Sequence, residues 1–333
     1  MSHAPLVHKR YNTRFVPQSH LQLKKDASLA RKTKAKSQYN TLISNGLSKI
    51  SKPHKQVKNR PSKASSLDQK LLKDYLSDMA LDIKKQVKKG YSRAWVVDKY
   101  AVVGLWPSED ELFTQFWPSG AKLLDLGCGA GRTTVPLAQQ DYTVIGADLS
   151  YPMVHRARNQ SEQWRLPINW SVLDATDLPF ANDTFDGVLF SYNGIELVPD
   201  GKEGKKRVLR EVWRILRPGG HFIFTTHALE AFNQFALHRL GRLLSFLFAK
   251  AMRRPTPEKE IGEVVHDPNQ NLEVYYMQII SPRTYRKMLV ETGFEVAYYN
   301  SRQRIDQQHA PSFIADFDPD FKFYVARKTQ IDI

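Results

Sequence analysis

The chain has 333 residues, of which 41% are hydrophobic and 25% charged, a composition typical of a globular protein with a full core. No apolar run approaches the roughly 18 residues that a transmembrane helix needs, so we predict no membrane-spanning segment. The single cysteine, Cys128, excludes an intramolecular disulfide framework and a CxxC-type metal site, and no other side chains have metal-ligand spacing. We therefore predict no metal and a reducing, cytoplasmic compartment.

The net charge of +15 is concentrated at the N-terminus. Residues 1–66 contain 15 Lys and Arg but one acid, Asp26, which leaves the remaining 267 residues close to neutral at +1. This distribution argues against a broad nucleic-acid-binding face on the folded body. Residues 1–66 also lack an apolar period, and we predict a disordered basic extension there.

Three roles for this extension remain open. Its scarcity of acids and its serine content are typical of a mitochondrial transit peptide. Its 11 Lys and 4 Arg fit that role less well, because transit peptides favour arginine. It could instead be an arm that makes non-specific contacts with RNA or the ribosome, or a solvated tail without a partner.

A helical N-terminal cap is predicted over residues 67–120. Ser66 and Gln69 form a capping box before an apolar stripe that recurs every four residues, and Gly90 is the expected end of that helix. A second helix is predicted from a cap at Ser108 to Pro118, and both helices are expected to serve packing. The stripe consists of Leu67, Leu71, Tyr75, Met79, Ile83 and Val87.

Strands and helices alternate from residue 121 onwards, which predicts an α/β, Rossmann-like, doubly wound domain over 121–330. Predicted strands are 122–126, 143–147, 169–173, 187–191, 221–226, 294–299 and 321–326. Predicted helices are 133–140, 152–162, 205–216 and 282–292.

A glycine-rich loop follows the first of these strands. Gly127, Gly129 and Gly131 let the backbone turn sharply and approach a ligand closely, at the N-terminus of the next helix. A dinucleotide-binding fingerprint would require glycine where Arg132 stands. Asp125, two residues before the loop, has no explanation in a purely structural turn.

Three further side chains follow strand ends. Asp148 closes the second strand, where a carboxylate grips a ribose diol in related folds. Asp174 follows the third strand, within reach of an adenine amino group. His227 follows the fifth strand and is the best-placed general base, should the reaction need one.

Residues 121–227 resemble the class I S-adenosylmethionine (SAM)-dependent methyltransferases, in the group that includes ubiquinone and menaquinone enzymes. The resemblance implies SAM as cofactor and a seven-stranded sheet whose last strand is antiparallel. It implies that Asp125 and the three glycines hold the methionine part and that Asp148 binds the ribose. It also implies that Leu149 lies on the adenine face, with Asp174 and Ala175 at the adenine amino group. At the methyl-donor end it places Ser191 and Tyr192, so Tyr192 joins His227 as a candidate catalytic residue.

An insertion at 228–275 is predicted to form a helical lid, although Gly241 interrupts its pattern. The lid could pack on the domain, recognise an apolar acceptor or contact a membrane surface. We predict a methyltransferase acting on a small molecule, with lipid-like acceptors included. The alternatives are an enzyme acting on RNA or a ribosomal protein recruited by the basic extension, and a SAM-binding assembly factor without turnover.

Overall fold

The computed structural model describes residues 83–101, 104–252, 254, 256, 258–266 and 273–329. The predicted basic extension and the predicted helix up to residue 82 lie outside the described residues. The helix described over residues 83–91 continues past Gly90, so the helix end predicted at that glycine is wrong by one residue.

The described strands are β1 (Lys122–Leu126), β2 (Thr143–Asp148), β3 (Asn169–Val172), β4 (Phe185–Phe190), β5 (Leu216–Thr226), β6 (Glu263–Val265), β7 (Tyr276–Gln278), β8 (Phe294–Ser301) and β9 (Lys322–Lys328). The described α-helices are 83–91, Ala94–Ala101, Pro107–Phe116, Thr134–Gln139, Tyr151–Gln163, Gly201–Ile215, Ala236–Ala251, Pro282–Thr292 and Arg302–Asp306. Short 3₁₀ helices lie at Gly194–Leu197 and Phe313–Asp316.

Seven strands form one mixed sheet in the order β3-β2-β1-β4-β5-β9-β8. Neighbouring strands from β3 to β5 pair in parallel, whereas β9 is antiparallel to both β5 and β8. This confirms the predicted Rossmann-like sheet with its last strand antiparallel. Parallel pairing brings the carboxyl ends of β1, β2, β4 and β5 to one edge, where ligands bind in such folds.

The two faces of the sheet are covered by different helices. Successive side chains of β5 point to opposite faces, so Phe222 and Phe224 join one buried cluster and Ile223 joins another. The first cluster includes residues of the helices Gly201–Ile215 and Pro282–Thr292, and the second includes Leu112 and Phe113 of the helix Pro107–Phe116. The sheet is therefore doubly wound, as predicted.

The cap predicted at Ser108 is wrong. The helix begins at Pro107, and the carboxylate of Glu109 accepts a hydrogen bond from the backbone N–H of Trp106 at 2.9 Å. Proline lacks a backbone donor and therefore suits a first helical position. Ser108 is consequently inside the helix, where it is buried.

The insertion at 228–275 is helical only in its first half. Gly241 does not interrupt the helix Ala236–Ala251. In the second half, β6 pairs with β7, which begins just after the insertion, as a two-stranded antiparallel sheet with Val264 opposite Met277. β-branched and aromatic residues in this segment favour strand over helix. Among the described residues, none of the helices has the length and apolarity to cross a membrane.

Candidate functional site

A cavity opens at the carboxyl ends of β1, β2 and β4, between the glycine-rich loop and the N-terminal helices. Of the residues predicted for the site, Gly127, Gly129, Asp148, Leu149, Asp174, Ala175, Ser191 and Tyr192 line this cavity. Asp125, Gly131 and His227 do not line it.

The glycine-rich loop needs its glycines for two different reasons. Gly127, Gly129 and Gly131 have φ angles of +62°, +55° and +90°, a region that side chains disfavour. A Cβ on Gly127 would also lie 2.7 Å from the ring of Phe190. A Cβ on Gly129 would meet no atom within 4 Å, so the backbone there faces open space that a ligand can approach closely.

Asp125 lies beneath the loop. It is buried, and one carboxylate oxygen accepts hydrogen bonds from the hydroxyls of Thr133 and Thr134, each at 2.6 Å. Burial raises the pKa of Asp125 to about 6, although these hydrogen bonds lower it. The structure therefore supports a role for Asp125 in holding the turn from the loop into the next helix.

Asp148 connects the second strand to the loop. Its Oδ2 accepts a hydrogen bond from Gly129 N at 3.0 Å, and its Oδ1 accepts one from Ser150 N at 2.8 Å. Burial raises the pKa of Asp148, while the backbone hydrogen bonds oppose this shift. Asp148 thus fixes the loop and also presents its carboxylate to the cavity.

Asp174 is held from two sides. Its Oδ1 accepts hydrogen bonds from the backbone N–H and the hydroxyl of Thr176, at 3.0 and 2.8 Å, and its Oδ2 pairs with the Lys84 ammonium. Burial alone would raise the pKa of Asp174, but the Lys84 and Thr176 hydrogen bonds lower it below its usual value. Asp174 therefore stays ionised at neutral pH.

The N-terminal helices do more than pack, in contrast to the prediction. Lys84, Val87, Lys88, Tyr91 and Tyr100 line the cavity and cover the side opposite the glycine-rich loop. The stripe that contains Val87 signalled a buried face, but nothing in the sequence indicated that this face borders a ligand cavity.

A buried ion pair ties the loop to the helix Pro107–Phe116. The Arg132 guanidinium binds both carboxylate oxygens of Glu109, at 2.7 and 2.5 Å, and both side chains are almost fully buried. Arg132 also donates to the Ser191 hydroxyl at 2.8 Å, and that hydroxyl donates in turn to Glu109. In the sequence, Arg132 stands out only as a departure from a dinucleotide-binding fingerprint, and no local pattern indicates Glu109.

His227 is oriented by a buried carboxylate. Glu196 accepts hydrogen bonds from the backbone N–H of His227 and from its Nδ1–H, both at 2.7 Å. Glu196 is fully buried, whereas the His227 ring is about one-third exposed (36%). Burial lowers the pKa of His227, but the Glu196 carboxylate outweighs it, so the pKa lies above its usual value. A hydrogen bond at Nδ1 leaves Nε2 as the atom able to exchange a proton with a ligand.

Aromatic rings connect the cavity to His227. The Tyr192 ring lies 5.6 Å from Tyr100 and 5.2 Å from Trp106, measured between ring centroids. Trp106 stacks on Phe321 at 5.1 Å, and Phe321 lies 5.0 Å from the His227 ring. These five residues are called the aromatic cluster. It provides flat apolar surfaces between the glycine-rich loop and the candidate base.

Comparisons with known proteins agree with this geometry. The family model described as a methyltransferase domain matches residues 123–220. The chain is 36% identical to the demethylmenaquinone methyltransferase of Symbiobacterium thermophilum over 39% of this chain and 50% of that protein. It is 36% identical to the 2-phytyl-1,4-naphtoquinone methyltransferase of Thermosynechococcus vestitus over 37% of this chain and 56% of that protein. The chain thus spans about half the length of these curated relatives.

A solved structure shows the same fold. A protein from Methanosarcina mazei, described as a SAM-dependent methyltransferase, superposes with a TM-score of 0.52 at 20% identity and covers 68% of this chain and 99% of that one. Residues 123–220 are therefore a class I SAM-dependent methyltransferase domain, within a Rossmann-like sheet of that class. The cofactor of this class of domain is SAM.

Proposed function

We propose that the chain is a methyltransferase that moves the methyl group of SAM to a small-molecule acceptor. One observation carries the proposal: a single cavity brings together the glycine-rich loop, Asp148 and Asp174 at one end and Ser191 and Tyr192 at the other. This cavity joins a cofactor half and an acceptor half at the edge of the sheet where ligands bind in this fold.

The residues present fit SAM. The open backbone at Gly129 admits a ligand, Asp148 offers a carboxylate to the ribose hydroxyls, and Asp174 stays ionised to accept a hydrogen bond from the adenine amino group. When bound, SAM supplies an electrophilic methyl group. The protein then has to align the acceptor with it, and alignment alone is worth up to about 7–11 kcal/mol.

An aromatic acceptor agrees best with the cavity's surroundings. Tyr100 and Tyr192, the members of the aromatic cluster that line the cavity, offer rings on which a planar acceptor stacks, and stacking contacts contribute about 0.5–1.5 kcal/mol beyond area burial. Two of the curated relatives are named as a demethylmenaquinone methyltransferase and a 2-phytyl-1,4-naphtoquinone methyltransferase. We therefore propose a quinol or another phenolic acceptor, from whose hydroxyl His227 takes the proton before the methyl group is transferred.

The acceptor proposal is tested by incubating the chain with SAM and a panel of non-aromatic alcohols, naphthoquinones and benzoquinones, with each quinone supplied both oxidised and reduced. Mass spectrometry should show a product heavier by one methylene for at least one reduced quinone. A methylated product from non-aromatic alcohols alone would contradict the aromatic acceptor.

Asp148→Ala should weaken binding of S-adenosylhomocysteine by about 1–3 kcal/mol, because ribose hydroxyls lose a charged acceptor. Isothermal titration calorimetry measures this loss. Glu162→Ala, an acid-to-alanine change on an exposed side chain of the following helix, is the matched control and should leave affinity unchanged. Equal affinities for the two variants would refute the ribose assignment.

Glu196→Gln should move the pH profile of methyl transfer to lower pH. A base must be neutral to accept a proton, so the rate rises as pH passes the pKa of His227. The Glu196 carboxylate raises that pKa, and its removal lowers the midpoint of the rise. An unchanged midpoint in kcat against pH would show that the observed titration belongs to another group.

A further inference from the structure

The helix Ala236–Ala251 exposes a row of large apolar side chains to solvent. Leu237, Leu244 and Phe248 are 82%, 57% and 59% exposed, and no residue of the helix is buried. The exposed apolar residues follow spacings of three and four, which places them along one side of the helix. This outward stripe consists of Leu237, Leu240, Leu244, Leu247, Phe248 and Met252.

Polar side chains of the same helix face the protein. Arg242 pairs with Glu258, and the Arg239 guanidinium donates to the carbonyl of Leu229 at 3.1 Å and to the side chain of Asn233 at 2.8 Å. Leu243, Phe246 and Ala249 also face the domain and line a cavity beneath the helix, while the six side chains of the outward stripe remain exposed. Surface helices of globular proteins normally keep such a row of large apolar side chains on the buried side.

Charge identifies what the stripe would contact. Residues 231–257 contain five Lys and Arg and no Asp or Glu. Lys250 and Arg254 are exposed at the C-terminal end, over the rings of Phe246 and Phe248 at 5.8 and 5.9 Å. Cations that flank an exposed Leu- and Phe-rich stripe complement a surface that is apolar beneath and negatively charged on top.

We propose that this helix lies in the surface of an anionic phospholipid bilayer, with the outward stripe among the acyl chains and Lys250 and Arg254 at the phosphates. A second copy of the chain is a poorer occupant, because it would bring one acid-free cationic segment against another. The proposal goes beyond methyl transfer and does not depend on it.

Membrane docking would also bring the acceptor side of the domain near lipid. Only eight residues separate His227 at the end of β5 from Ala236 at the start of the helix. That connection carries Phe232, which is exposed and stacks on Phe317 at 5.7 Å. The apolar surface therefore continues from the helix toward the end of β5.

A label on the stripe tests docking directly in the full chain. Cys128 is buried and its pKa is raised by burial, so a new surface cysteine is labelled selectively. With an environment-sensitive fluorophore on Leu244→Cys, vesicles of phosphatidylcholine and phosphatidylglycerol should shift the emission to shorter wavelength and increase it. The matched site is Val290→Cys, on an exposed helical residue elsewhere, where the emission should not change. Each label reports only on its own site. Vesicle binding through the basic extension would therefore leave the emission at residue 244 unchanged.

A stripe variant supplies the second measurement. Leu237→Glu/Phe248→Glu should reduce partition into the same vesicles at least about tenfold, since two apolar side chains no longer enter the bilayer. Partition of the variant and of the unchanged chain is compared at about 0.5 M salt, where the interactions of exposed charges are screened. An unchanged emission at residue 244 with vesicles would overturn the proposal. An emission shift that appears without vesicles when the protein concentration is raised would also overturn the proposal, because it would identify a second copy of the chain as the occupant.

Discussion

Glu109→Gln should destabilise the folded chain by about 3–5 kcal/mol, the range expected when one partner of a buried ion pair is removed. Glu109 and Arg132 have side chains that are 0% and 5% exposed, so Arg132 would keep its charge in a site without water to solvate it. The loss should appear as a lower midpoint in urea unfolding followed by circular dichroism.

The control for this variant is Glu111→Gln, the same change at an exposed position of the same helix. It should alter stability by no more than about 0.5 kcal/mol. Replacing both charged residues together, as Glu109→Leu/Arg132→Met, should recover part of the loss, since no unpaired charge remains. Equal stability of the two single variants would contradict the structural role of the pair.

His227→Gln should lower the rate of methyl transfer to a quinol acceptor by about 10²–10⁴-fold, the usual contribution of a positioned general base. His227 does not line the cavity that contains the glycine-rich loop, so the affinity for S-adenosylhomocysteine should stay the same. Single-turnover kinetics at saturating SAM measures the first effect, and calorimetry measures the second.

The same strand offers a matched control. His221 lies in the middle of β5, with its ring 5.3 Å from Phe116, and burial lowers its pKa. His221→Gln should therefore leave the rate nearly unchanged. A rate for His227→Gln within about tenfold of that control would show that the reaction does not use this histidine as a base.

The positions of the glycine-rich loop and of the two acids were predictable because their signals are local. The spacing of Gly127, Gly129 and Gly131 after a strand requires positive φ angles within a few residues, and the structure has them. The positions of Asp148 and Asp174 follow from the alternation of strands and helices, since each parallel strand ends at the same edge of the sheet. Both acids consequently line the cavity.

The pairings that complete the site were not predictable, because they join residues far apart in the chain. Glu109 meets Arg132 across 23 positions, Glu196 meets His227 across 31, and Lys84 meets Asp174 across 90. Each pair depends on how one helix packs against the sheet, and no local periodicity encodes that. Asp125 differs from these residues, because its position stands out in the sequence but its partners do not. Its hydrogen bonds with Thr133 and Thr134 show that it supports the loop from beneath.

The function proposed for the chain is methyl transfer from SAM to a small molecule. The most direct measurement supplies the full chain with SAM carrying a labelled methyl group and an extract separated into small molecules and lipids, RNA, and protein. Label should appear in the small-molecule and lipid fraction, and it should be lost in His227→Gln and retained in His221→Gln. Label confined to RNA or protein would contradict it, as would SAM binding with no transfer to any fraction.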